Sequence, residues 1–168
     1  VQRQRFSIYW QYLLLEAPHL FESYLLYMEK NRPDSKKFYI PRRKTLHVVA
    51  QDLQDLEERK IEFYGLSLPS RVGKSTMCIF FMSWIMGKRP NSHSAMGGHS
   101  GKLAKGFYGE LLNLINTQEY NYSEIFPQSK LQKQSADDFE INLDKPDRFA
   151  TMTCRGIEGT WIGAVDIS

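Results

Sequence analysis

Gly73, Lys74, Ser75 and Thr76 follow one another in the stretch LPSRVGKST, residues 68–76. Gly-Lys followed by a hydroxyl is the closing half of the phosphate-binding pattern G-x-x-x-x-G-K-[S/T]. In that pattern successive backbone N–H groups at a helix start form an anion-sized nest. The lysine reaches the terminal phosphates of a nucleotide, and the next hydroxyl ligates Mg²⁺. The residue types therefore predict a loop of Pro69, Ser70, Arg71, Val72, Gly73, Lys74, Ser75 and Thr76 around the phosphates of a nucleotide. Ser75 is the expected magnesium ligand and Lys74 the expected phosphate contact. Position 68 is Leu where the pattern opens on Gly. Pro69 supplies a turn by another route, because its ring locks φ near about −65°. Arg71 adds a cation where charge develops on a transferred phosphoryl group.

Such a loop needs a strand before it and a helix after it. The stretch IEFYGLSL (61–68) is β-prone and runs into the loop, and residues 75–86 predict a mostly buried helix ending at Gly87. Upstream, residues 1–30 carry apolar side chains at helical spacing interrupted at Pro18, which predicts two short helices with Arg3, Arg5, Glu16 and Glu22 on wet faces. Residues 31–45 read as a loop or linker, followed by a helix over 46–60. Downstream come a short buried strand in 92–98 and an amphipathic helix over 100–118 with Leu103, Phe107, Leu111 and Leu114 on one stripe. A helical turn at 122–127 stops at Pro127, and strands are expected at 139–143, 148–154 and 161–167. This order predicts an α/β fold of the P-loop NTPase type, with a mostly parallel sheet, flanking helices and a helical N-terminal extension. The expected division is 1–45 for the extension and basic linker, and 46–168 for the nucleotide-binding domain.

The 168 residues are 42% hydrophobic and 24% charged, with a net charge of +3. These values are ordinary for a globular domain and permit a nucleic-acid partner without requiring one. Cys78 and Cys154 have no metal-ligand spacing, so both are expected as buried thiols in a reducing compartment. No apolar run approaches a membrane span of about 18–20 residues. A second Gly-Lys, in GGHSGKL (97–103), is followed by Leu103 instead of a hydroxyl. It reads as a turn, with Ser100 capping the next helix. The segment KKFYIPRRK (36–44) mixes aromatics with cations and reads as a solvated linker in preference to a DNA contact. Trp10, Trp84 and Trp161 are assigned to packing.

With these residues in view, the chain resembles the ATPase domain of the large terminase subunits of tailed bacteriophages, which drive DNA into capsids. The loop PSRVGKS matches the family's divergent form Pro-x-Arg-x-Gly-Lys-Ser at each fixed position. The segments GHSGKLAKGFYGELLNLI, YSEIFPQSKLQKQSADDFEI and CRGIEGTWIGA are similar to later parts of the same domain, so the likeness runs from about His47 to Ala164. The resemblance implies ATP and Mg²⁺ as cofactors, and Arg71 and Lys74 as catalytic groups. It implies double-stranded DNA, a small terminase subunit, a portal and further copies of the chain as partners. The host cytoplasm is the implied setting, with no membrane partner. It places the adenine pocket upstream of the loop, among Arg43 to Gln51, and offers Arg148 or Arg155 as an arginine acting on a neighbouring subunit.

One element of that pattern is incomplete. An apolar strand ending in two carboxylates should supply the magnesium shell and the base for water. The sequence offers Asp166 in IGAVDIS, with Ile167 and Ser168 after it. Asp166 is therefore a weak candidate, and the acidic pair is expected just past Ser168. The pair Asp137-Asp138 follows no apolar strand and reads as a solvated loop. The expected chain is the front part of a longer enzyme, weakly active by itself. A helicase-like P-loop NTPase and a non-catalytic prophage remnant are the competing readings.

Overall fold

The computed structural model describes residues 2–135, 139–143 and 149–157. Pro18 divides the N-terminal apolar stretch into α1 (Gln2–Glu16) and α2 (Phe21–Met28). Two 3-10 turns follow, Asp34–Lys36 and Ile40–Arg42, and the second runs directly into α3 (Arg43–Glu57). The expected linker is thus largely ordered turn, and the helix starts three residues before the expected position 46. The long helix after the loop is α4 (Lys74–Lys88), one residue earlier and two later than expected.

Strand β1 (Ser94–Gly98), helix α5 (Gly101–Asn116) and the turn α6 (Tyr122–Ile125) come next, then β2 (Leu131–Ser135), β3 (Glu140–Leu143) and β4 (Met152–Gly156). Ser100 caps α5 as expected, its Oγ accepting from the Leu103 N–H at 3.3 Å. The expected strand at 148–154 is realised later, as β4. Strand β2, in the polar stretch LQKQS, carries no apolar alternation that would mark it.

Among the described residues the sheet has the order β1-β4-β3-β2. Only the β1–β4 pairing is parallel; β4–β3 and β3–β2 are antiparallel. The expected mostly parallel sheet is therefore corrected to a mixed one. The β1–β4 pair has α5 in its connection, as a parallel pair requires, whereas β3 and β2 are close enough in sequence to fold back on each other.

The strand expected at 61–68 is also corrected. The segment has no regular secondary structure, and Tyr64, Leu66 and Leu68 are partly buried while Gly65 and Ser67 stay exposed. Phe63 is 86% exposed. Period-two burial is present, but among the described residues no strand pairs with it, so there is no ladder.

The core joins the N-terminal helices to α4. Phe21, Tyr24, Phe80 and Trp84 are buried together. The Phe21 ring lies 5.3 Å from both Phe81 and Trp84, centroid to centroid. Their polar atoms are paired inside: Trp84 Nε1 donates to Ala17 O at 2.8 Å, and Tyr24 Oη and Ser83 Oγ are 2.7 Å apart. Gly87 allows α4 to lie against the Phe126 ring, where a Cβ would stand 2.2 Å from Cδ2. At the same end of α4, the buried Glu57 carboxylate pairs with Lys88 and Arg89, each at 2.7 Å. No described helix is long and apolar enough to cross a membrane.

Candidate phosphate-binding site

The loop at 69–73 turns at Ser70 and Arg71 and delivers the chain to α4 at Lys74. Two residues have positive φ, Arg71 at 65° and Gly73 at 105°. Alternating handedness of this kind turns successive amides toward one side and is the backbone form of an anion nest. The value at Gly73 lies beyond the left-handed basin that side chains tolerate, which accounts for glycine there. Arg71 sits within that basin at a cost of about 1–2 kcal/mol for an L residue.

Gly73 is the N-cap of α4, and among the described residues no side chain caps the first turn. The first intrahelical bond runs from Met77 N–H to Gly73 O at 2.9 Å. The amides before Met77 are the orphan donors of a helix start, and the macrodipole adds partial positive charge there.

A cavity of about 330 Å³ opens at this point, lined by Phe38, Arg42, Arg71, Gly73, Lys74, Ser75 and Thr76. Among the described residues the lining contains three cations and no carboxylate. Lys74 is half-buried, and its Nζ donates to Leu68 O at 2.5 Å. The ammonium is therefore folded back on its own loop and held beside the cavity. Arg71 and Ser75 are exposed.

Of the expected loop residues, Arg71, Gly73, Lys74, Ser75 and Thr76 converge on the cavity. Pro69 and Ser70 form the exposed outer turn, and Val72 packs toward the core. The upstream window behaves differently, because none of residues 43–51 lines this cavity. Arg43 Nε donates to Glu22 Oε1 at 2.7 Å, and His47 Nδ1 lies 3.1 Å from the same oxygen. Arg43, Ala50 and Gln51 line a second cavity of about 770 Å³, whose walls include Tyr9, Tyr12 and Glu22.

Two lining residues come from the segment read as a solvated linker. Phe38 stacks on Phe80, with centroids 5.8 Å apart and planes at 14°. A Cβ on Gly73 would stand 2.3 Å from Phe38 Cε2. The Arg42 guanidinium lies over the same ring at 5.5 Å, and its Nη1 donates to Phe38 O at 3.0 Å. The aromatic–cation interleaving of KKFYIPRRK was the visible signal for these residues. Nothing in the sequence said that they face the loop.

Arg155, on β4, has its Nη2 3.4 Å from Glu140 Oε1 on the neighbouring strand. Asp166, Arg148, Trp161 and the Asp137-Asp138 pair lie outside the described residues. Among the described residues no three His, Cys, Asp or Glu side chains gather into a metal-ligand group. Hydroxyl ligands for a cation are offered by Ser75 and Thr76, in the first turn of α4 and on the cavity wall, Ser75 being the one that follows the lysine. This donor suits Mg²⁺, which takes few protein ligands and shares the phosphate oxygens.

Burial raises the thiol pKa of Cys154 to about 12 and shifts that of the half-buried Cys78 upward. Cys78 thus departs from the expectation of full burial. The chain matches no family model, no curated protein and no solved structure.

Proposed function

We propose that this chain is the nucleotide-binding domain of an ATP-driven motor of the terminase type, which moves double-stranded DNA. The observation that carries the reading is a cavity walled by Arg42, Arg71 and Lys74 at the start of α4, with no carboxylate in its lining and no cap on the helix among the described residues. A site of that composition takes a polyanion. Its volume of about 330 Å³ suits the polyphosphate better than a whole nucleotide. The ordered series of terminase-like segments in the sequence turns polyphosphate binding into the narrower reading of an ATPase that acts on DNA.

In this account Lys74 leaves Leu68 O and contacts the β- and γ-phosphates. The amides of the first turn of α4 hold the phosphate oxygens, and the Ser75 hydroxyl holds Mg²⁺. When bound, Mg²⁺ neutralises charge on the phosphate oxygens. Arg71 is oriented by its left-handed backbone, and its guanidinium stabilises charge that grows on the γ-phosphoryl oxygens during transfer. The candidate for the carboxylate that activates water is Asp166, which lies outside the described residues.

The reading is tested on the full-length gene product by ATP turnover with and without linear double-stranded DNA. DNA should stimulate turnover, Lys74→Ala should abolish turnover and weaken nucleotide binding about 10- to 100-fold, and Arg71→Ala should abolish turnover while sparing binding. Turnover indifferent to DNA would move the chain to another class of P-loop NTPase. Binding that survives Lys74→Ala would overturn the site itself.

A further inference from the structure

Segment 38–42 is held by a device outside the loop. Glu29, fully buried just after α2, directs its carboxylate at three consecutive backbone amides. It accepts from the Phe38 N–H, from the Tyr39 N–H at 3.0 and 3.1 Å through its two oxygens, and from the Ile40 N–H at 3.1 Å. A buried carboxylate needs strong partners, and here backbone donors supply them. The clasp fixes the backbone between the two ends of the contact chain described above. Phe38 is pressed between Phe80 and Gly73, and Arg42 is laid over the Phe38 ring at the cavity wall.

We infer that Arg42 is a phosphate-contacting residue of the loop cavity, and that Glu29 and Phe38 are the positioning residues that place it there. The inference rests on the reading of that cavity as a polyphosphate site. Arg42 is exposed and, among the described residues, bonded to a single carbonyl, which leaves further guanidinium donors for an anion in the cavity. Its side chain lines the same cavity as Arg71 and Lys74, so it stands with them on the wall that an anion would meet. The chemistry recognised is the phosphate chain, with no demand on the base, because the aromatic face beside Arg42 is already occupied by Phe80 and the guanidinium.

The experiment is a calorimetric titration of the 168-residue chain with Mg²⁺-tripolyphosphate and with Mg²⁺-ATP. Arg42→Ala should weaken both ligands about tenfold or more, as removal of one charge-assisted hydrogen bond does. Phe38→Leu should weaken both to an intermediate degree. In the Phe38→Leu/Arg42→Ala double variant the loss should equal that of Arg42→Ala alone, an equality that a merely structural role for Phe38 would not give. Glu29→Gln should behave like Phe38→Leu, and the Phe38 cycle decides the matter if that variant does not fold. Binding lost in Lys74→Ala but unchanged in Arg42→Ala would overturn this inference and leave the cavity reading intact. Wild-type affinity unchanged by Lys74→Ala would overturn both. A loss confined to ATP, with tripolyphosphate binding unaltered, would overturn the phosphate assignment of Arg42.

Discussion

Arg71 and Gly73 show how single residues set the loop's chemistry. Glycine at position 71 would hold φ of 65° without steric penalty, so the arginine stands there at a small conformational disadvantage. Arg71→Gly should leave stability unchanged or raise it by up to about 1 kcal/mol, the extra chain entropy of glycine offsetting part of the relief. A thermal melt checks this, and a large loss of stability would mean that Arg71 packs instead of acting. Gly73→Ala should do the opposite, because its Cβ would meet the Phe38 ring at a φ of 105°. The expected outcome is a loss of about 1–3 kcal/mol with displacement of Phe38, read by urea unfolding and by weakened phosphate binding. These residues were legible because Gly-Lys-Ser chemistry is local. Glu29 was not, because its partners are backbone amides nine to eleven positions away that leave no side-chain signature.

Two carboxylates tie elements together, and each should give a measurable response. Burial pushes the Glu22 carboxyl up, but hydrogen bonds from Arg43 and Tyr39 and the charges of Arg43 and His47 outweigh it and hold the pKa below the ordinary value. A lowered folded pKa contributes stability that is present above the unfolded pKa and lost as pH falls through the folded one. The α2–α3 tie should therefore weaken below the ordinary carboxylate range, and Glu22→Gln should flatten the acid limb of a stability–pH curve measured by urea midpoints. Glu57 holds the end of α3 to Lys88 and Arg89 at the end of α4. Glu57→Ala leaves two cations without their partner and should cost about 2–4 kcal/mol, less than full burial would imply because both cations reach solvent. Elements with local signals, such as α5 with its Ser100 cap and apolar stripe, fell close to their expected bounds. The segment 61–68 did not become a strand although its burial alternates, because a ladder requires a partner that local alternation does not encode.

At the scale of the molecule, the N-terminal helices and the loop helix share one hydrophobic cluster through Phe21, Tyr24, Phe80 and Trp84. Phe21→Ala should therefore destabilise the whole chain by about 3–5 kcal/mol, in one cooperative transition that also removes phosphate binding. A melt in two separate steps would show that the N-terminal helices fold apart from the site. The α/β class was readable from alternating helical and strand-like segments. The mixed sheet was not, since strand direction depends on which distant segments meet. The same shared core explains why a segment read as linker supplies Phe38 and Arg42 to the cavity. Packing α2 against α4 brings the chain that follows α2 across the loop.

The central claim is that the cavity at the start of α4 binds the polyphosphate of a nucleotide through Lys74. The most direct measurement is a binding isotherm for Mg²⁺-ATP on wild type and Lys74→Ala under the same salt. Saturable binding by wild type and a loss of about 10- to 100-fold in the variant is the predicted result. Superimposable isotherms for the two proteins would contradict it.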